Sequence, residues 1–400
     1  MIPYGKQDIS EQDIASVVEV LQSDFLTQGP QVPLFENAIK QATTAQYACA
    51  VNSATSALHI ACMALDVGPG DIVWTSPITF VASANCALYC GASIDFVDID
   101  PQTYLLCPHA LETKLAHAKR NHALPKVIIP VHLGGQSCAM PAIYALAKEY
   151  GVKIIEDASH CIGAQYQDKP VGACTYSDIT VFSFHPVKIV TSAEGGAAVT
   201  NCAELAQRLE LLRSHGVTRD ESQMDASSVP DSHAQTTFPP WYYQQIALGY
   251  NYRMTDLHAA LGLSQMQRLT SFIRSRQHLA SRYNELLADL PVLLPTQHPD
   301  TQSSWHLYII RLRLAHDTQR VNNLTHSEVF SALRERGIGV NLHYIPVHLQ
   351  PFYQRLGFAE GDFPVAEAYY ETAISIPLFH GMTDAQQDEV VLALRDVLLV

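Results

Sequence analysis

Residues 181–196 read VFSFHPVKIVTSAEGG, and Lys188 is the candidate in this stretch for covalent chemistry on a carbonyl. A lysine set among aromatic and β-branched residues loses much of its ammonium hydration; its pKa falls, and the neutral amine becomes a nucleophile for a carbonyl. A Schiff-base lysine fits that description, whereas an ordinary lysine at a strand end would share the letters without the reactivity. Neighbouring stretches must decide. In YACAVNSATSALHIACMALDV, beginning at Tyr47, a short apolar strand feeds Asn52, Ser53, Ala54, Thr55 and Ser56 into a helical pattern. Unpaired N–H groups and hydroxyls at a helix N-terminus can hold a phosphate, although Ser and Thr favour such positions as plain N-caps too. Asp157 ends the run VKIIED. Its carboxylate could keep a pyridine nitrogen protonated, so that the ring withdraws electrons, or could cap the following helix. Phe80 could lie offset-stacked on such a ring or belong to the core.

The elements that must position these groups alternate. Strands are expected over 72–76, 93–98, 126–131 and 152–156, and helices over 79–90, 108–119 and 139–150, a pattern of parallel strands joined by right-handed crossovers. Ligands of such sheets gather at the carboxyl ends of the strands, where Pro77–Phe80, Val131–Gln136 and Glu156–His160 fall. Upstream, Ser10 opens a helix over 10–23 with Ile14, Val17, Val18 and Leu21 at helical spacing. A Gly/Pro loop over 24–33 and a helix over 34–43 follow. Downstream come a helix over 203–215, an irregular stretch over 217–243, and a helix running from the 248–269 segment to about Leu290. Strands near 306–314 and 374–376 and helices over 326–336 and 384–399 complete an α+β part. The expected fold is α/β, with a large domain over 1–255 and a small C-terminal one over 256–400.

The formal charge of −14 and the lack of Lys/Arg clusters argue against nucleic acid. Hydrophobic residues make up 48% and charged ones 16%, the balance of a folded chain with much buried surface. The nine cysteines include no C-x-x-C pair and read as reduced, mostly buried thiols. The eighteen histidines form no H-E-x-x-H or Cys/His quartet, so no metal is expected. No apolar run reaches the roughly 18 residues a bilayer span needs, and MIPYGKQDIS lacks a signal-peptide pattern, so a soluble, cytoplasmic protein is expected.

Taken together, the stretches GKQDIS, NSATSALH, PITFVASAN, EDASH, FSFHPVK, EGG, GYNYRMTDLHAALG and SWHLY resemble the sugar aminotransferase family of the DegT/DnrJ/EryC1/StrS type. These are fold-type I enzymes that use pyridoxal 5′-phosphate on nucleotide-linked keto-sugars. The resemblance implies that Lys188 bonds the cofactor and Asp157 partners its pyridinium nitrogen. It likewise implies that Ala54, Thr55 and Ser183 hold the phosphate, Phe80 stacks on the ring and His160 lies near the ring hydroxyl. Asn251 would reach the phosphate of a neighbouring subunit, which implies a homodimer with shared active sites. Many relatives carry Gln in place of His160 and Gly in place of Ala54. FSFHPVK followed by AEGG is most similar to the branch acting in pseudaminic acid biosynthesis. That implies a UDP-linked 2-acetamido-2,6-dideoxy-4-keto-hexose as substrate, with L-glutamate as amino donor and ping-pong kinetics. GDP-linked 4-keto-sugars and UDP-linked 4-keto-pentoses are the alternative substrates. A sugar 3-dehydratase of this fold would have histidine in place of Lys188, and a regulatory member would lack Lys188 or Asp157. A nucleotide-sugar binding protein is the reading from another class. His132, His343 and Tyr344, beside Pro-fixed loops, are candidates for substrate contact.

Overall fold

The computed structural model describes residues 1–225, 238–315 and 319–399. Its centre is a seven-stranded sheet built from β1 (Tyr47–Val51), β2 (Ile72–Thr75), β3 (Ser93–Phe96), β4 (Val127–Ile129), β5 (Lys153–Asp157), β8 (Ile179–Ser183) and β9 (Gly196–Thr200). A short hairpin, β6 (Gln165–Tyr166) and β7 (Lys169–Pro170), lies outside it. The strand order is β1-β9-β8-β5-β4-β2-β3. Pairings from β3 through β8 are parallel, while β9 runs antiparallel to both β1 and β8. The sheet is thus mixed but mostly parallel. β4 and β8 are buried along their whole length, as expected for strands covered on both faces.

The covering helices are α1 (Glu11–Leu21), α2 (Gln31–Thr43), α3 (Ala54–Ala64), α4 (Ala82–Tyr89), α5 (Pro108–Arg120), α6 (Met140–Tyr150) and α7 (Ala203–Arg213). Three expectations about these helices change. The stripe of α1 does not face the core: Ile14, Val18 and Leu21 are exposed, and the buried residues are Asp13 and Val20. The reason is a polar seam. Asp13 accepts hydrogen bonds from the Ser10 N–H (2.8 Å), Ser264 Oγ (2.6 Å), Gln265 Nε2 (2.8 Å) and Arg268 Nη2 (2.6 Å), which fixes α1 against α8 (Asp256–Met266). Second, the long helix is two, α8 and α9 (Leu269–Leu286), parted where Arg268 turns back to Asp8 and Asp13. α2 also starts earlier than expected, at Gln31, which its Pro33 tolerates in the first turn.

Three antiparallel strands, Val292–Leu293, Tyr308–Leu312 and Ala373–Ile376, form a second sheet. Their core includes Leu279, Tyr283, Ile310, Leu333, Ile374 and Leu394, with Ile2 from the N-terminus. Of the stretch 217–243, expected to be irregular, Val217–Thr218 pairs with Gln244–Gln245, and 226–237 lie outside the described residues. Among the described residues no helix is long and apolar enough to cross a membrane, and no group of His, Cys, Asp or Glu could hold a metal ion.

Candidate active site

At the carboxyl ends of the parallel strands lies a cavity of about 420 Å³, lined by residues from both sheets' surroundings. One wall is the start of α3. Ser53 caps it, accepting the Ser56 N–H at 3.1 Å, and the first backbone bond of the turn runs from the Ala57 N–H to the Ser53 carbonyl. The N–H groups of Ala54 and Thr55 precede that bond, so the helix supplies them no partner and they are free for an anion. Gly196 lets β9 approach: a Cβ there would lie 2.4 Å from the Ala54 nitrogen. Gly196→Ala must therefore push this turn away, and overpacking of that kind costs about 1–3 kcal/mol. We expect cofactor affinity to fall at least about tenfold, read by absorbance titration, with unchanged far-ultraviolet dichroism.

Lys188 sits in the loop between β8 and β9. Ile189 and Val190 anchor that loop in a core with Phe182, Phe184 and Met254, and the Phe184 N–H closes it on the Gly195 carbonyl at 2.9 Å. Burial pushes the Lys188 amine down to about 8, and Asp157 and Cys161 pull it partly back. At pH 7 about a tenth of such an amine is neutral, against about one part in 3,000 for an ordinary lysine. Asp157, buried at the end of β5, uses both oxygens. Oδ1 accepts the Ser159 N–H at 3.1 Å and Oδ2 accepts the Ser83 hydroxyl at 2.6 Å. No helix directly follows Asp157, so it does not serve as a helix cap; the Ser159 N–H bond closes a turn, and the carboxylate lines the cavity. Thr79 Oγ1 lies 2.7 Å from Ser83 Oγ, so α4 delivers a hydroxyl relay to the carboxylate. Phe80, one residue after Thr79, is 60% exposed and lines the cavity. A large apolar ring left open there has no core to join.

The far wall carries imidazoles. His160 is buried, with Nδ1 accepting the Gly134 N–H at 3.2 Å and Nε2 3.2 Å from the Tyr344 hydroxyl. An accepting Nδ1 leaves the proton on Nε2. Burial, with Lys188 and His343 beside it, holds the ring well below the ordinary histidine range, so it is neutral. His343 is pushed down to about 3 by burial and Lys188, and its Nδ1 lies 2.8 Å from Ser375 Oγ. Burial, reinforced by Asp157, raises the Tyr344 phenol, which stays protonated.

The structure therefore brings Ala54, Thr55, Phe80, Asp157, His160, Ser183, Lys188, His343 and Tyr344 around one cavity. It does not bring His132 there. That ring is fully buried behind the strand ends, where Nδ1 accepts the Cys138 N–H at 3.1 Å and Nε2 lies 2.7 Å from Glu156. Burial alone would raise Glu156, but His132, Ser177 and Thr180 hold it below the carboxylate range. Asn251 is exposed and lies away from the chain's own cavity, its carbonyl 3.5 Å from Asn52 Nδ2. Sequence reasoning missed Ser83, His306, Tyr4 and Asn341, which also line the cavity. Ser83 had a signal only through the helix expected over 79–90, which would set it on one face with Thr79; α4 begins later, at Ala82, and Thr79 reaches Ser83 from the turn before it. Tyr4 and Asn341 had none, because they reach the site only through tertiary packing.

The residues fit a phosphorylated pyridine: a vacant N–H pair for the phosphate, an open aromatic face, a buried carboxylate at the strand end and a depressed lysine. Comparisons with known proteins agree. Residues 7–395 match the DegT/DnrJ/EryC1/StrS aminotransferase family. Over 399 residues the chain is 37% identical to the spore coat polysaccharide biosynthesis protein SpsC of Bacillus subtilis (strain 168), covering 99% of this chain and 97% of that protein. The putative sugar aminotransferase Spr1654 from Streptococcus pneumoniae, in its PLP form, matches with a TM-score of 0.85 and 29% identity over 99% of this chain and 98% of the other. Helicobacter pylori PseC, an aminotransferase involved in pseudoaminic acid biosynthesis, matches with a TM-score of 0.86 and 29% identity over 99% of each chain. The chain belongs to the DegT/DnrJ/EryC1/StrS family and is a sugar aminotransferase whose cofactor is pyridoxal 5′-phosphate.

Proposed function

We propose that this aminotransferase moves nitrogen from L-glutamate to C4 of a UDP-linked 2-acetamido-2,6-dideoxy-4-keto-hexose, with Lys188 and Asp157 at the centre of the chemistry. The observation that carries the catalytic reading is the meeting, in one cavity, of a lysine depressed to about 8, a buried carboxylate and the free N–H pair of α3. The sugar reading is supported by FSFHPVK and AEGG and by the likeness to PseC.

When bound, pyridoxal phosphate withdraws electron density from the carbon that loses a proton. The chain does the rest. The N–H groups of Ala54 and Thr55, with Ser183, would hold the phosphate; Phe80 would cover one ring face; Asp157, oriented by Ser83 and the Ser159 N–H, would hold a proton on the pyridine nitrogen. Lys188 would be the residue that bonds the cofactor, and its free amine would serve as the base and acid that carries the proton. His160, which donates towards the Tyr344 hydroxyl, would lie near the ring hydroxyl. His343 and Tyr344 border the space left for the sugar. The exposed side of Asn251 suits a reach into a second subunit's phosphate site, so the working unit in this reading is a homodimer. A cytoplasmic location and the division into 1–255 and 256–400 belong to the same reading.

The experiment is a substrate panel. Enzyme and L-glutamate are offered UDP-2-acetamido-2,6-dideoxy-4-keto-hexose, GDP-4-keto-6-deoxymannose and a UDP-4-keto-pentose, with amino-sugar formation followed by mass spectrometry. The first should be preferred by at least about tenfold in kcat/KM, the discrimination expected when a site built for the N-acetyl group meets sugars lacking it. Preference for either of the others refutes the substrate assignment.

A further inference from the structure

His306, from the stretch SWHLY, is placed with unusual care for a residue whose ring takes no hydrogen bond from the described residues. Its ring lies 4.4 Å from that of His160, lines the cavity, is 4% exposed, and its Nδ1 has no hydrogen-bond partner. The backbone around it is clamped from two sides. The Ser304 and Leu307 N–H groups donate to the carbonyls of Gly135 (3.0 Å) and Gly134 (3.1 Å), and the fit is so close that a Cβ on Gly135 would meet the His306 nitrogen at 2.9 Å. From α9, Arg276 Nη1 donates to the carbonyls of Trp305 (3.1 Å), His306 (3.2 Å) and Leu378 (3.0 Å). Arg276 is 2% exposed and pairs there with carbonyls rather than a carboxylate. Burying a guanidinium in that way is costly, and its effect is to hold the peptide that aims His306.

The unpartnered Nδ1 is sealed from the cavity, so the atom this ring can offer a ligand is Nε2, which takes no hydrogen bond from the described residues and belongs to a side chain that lines the cavity. We propose that His306 is a sugar-contacting residue, offering an imidazole nitrogen to a hydroxyl or acetamido group of the substrate beside the carbon that receives nitrogen. The inference rests on the nucleotide-sugar reading above. Burial, with His160, Lys188 and Arg276 close by, keeps the ring well below the ordinary histidine range. A neutral imidazole offers one donor and one acceptor. That matches uncharged sugar groups, and it does not match the two carboxylates of the amino donor.

The test separates the two half-reactions of the holoenzyme. Stopped-flow absorbance follows conversion of the cofactor by L-glutamate, and the reverse conversion by each keto-sugar of the panel. With His306→Leu the glutamate half-reaction should stay within about twofold of wild type, while kcat/KM for the accepted sugar falls about 10- to 100-fold, the loss expected for one hydrogen bond to a buried group. His306→Gln, which keeps a donor and an acceptor, should recover part of the loss. The intact glutamate half-reaction also reports that the variant is folded and loaded. Equal losses in both halves, or an unchanged sugar half, overturn the assignment while leaving the substrate reading standing. Wild-type enzyme that accepts none of the sugars refutes the substrate reading, and the sugar role of His306 falls with it.

Discussion

Lys188→Ala should lose at least about 10³-fold in kcat, since positioned proton transfer alone contributes about 10²–10⁴. The visible absorbance of the cofactor should shift to that of free pyridoxal phosphate and resist trapping by borohydride, because no amine remains to bond its carbon. The loss should be one of chemistry rather than of folding. Lys188 lies partly open to the cavity, and the anchors of its loop are Ile189 and Val190. Lys188→Arg is the sharper variant: it keeps a charge near Asp157, yet its side chain stays protonated across the working range, so it should be as inactive as alanine. Single-turnover amination by either variant at more than about a hundredth of the wild-type rate would exclude Lys188 as the proton carrier.

Asp157→Asn should rank second, with kcat reduced about 10- to 100-fold or more, the worth of a charge-assisted hydrogen bond of about 1.5–3 kcal/mol. An amide keeps one acceptor oxygen for the Ser159 N–H, and its NH2 can donate to the Ser83 oxygen where the carboxylate accepted from it, so the turn should survive; what the amide cannot do is hold a proton on a ring nitrogen through opposite charge. The cofactor should therefore bind, and loss should appear in both half-reactions equally, which distinguishes Asp157 from His306. Ser83→Ala should reproduce a small part of this effect, because it leaves the carboxylate in place and removes one of its two orienting donors.

Much of this site was legible in order along the chain. Lys188, Asp157, Phe80 and the Asn52–Ser56 turn are each short local signals: a reactive amine among apolar neighbours, an acid at the end of an apolar run, a hydroxyl-rich helix start. The alternation of strands and helices then places them at one sheet edge. His132 shared the signal of its neighbours and still went elsewhere, because Glu156, one residue before Asp157 on the opposite face of β5, took its ring into the core. The apolar face of α1 was misleading for a similar reason, since a single buried carboxylate, Asp13, outweighed Ile14, Val18 and Leu21 in setting how that helix docks.

By itself the sequence determined the α/β class and, through its likeness to a known family, the cofactor, and it put forward the residues proposed to carry the chemistry, since strand period, helix caps and short motifs act over a few residues. Tertiary structure alone decided which polar groups converge from distant segments. Ser83 reaches Asp157 across 74 positions, Tyr344 reaches His160 across 184, and Arg276 clamps the peptide of His306 from another helix. Hydrogen-bond geometry and burial select such pairs only once the chain has packed, and no local pattern announces them.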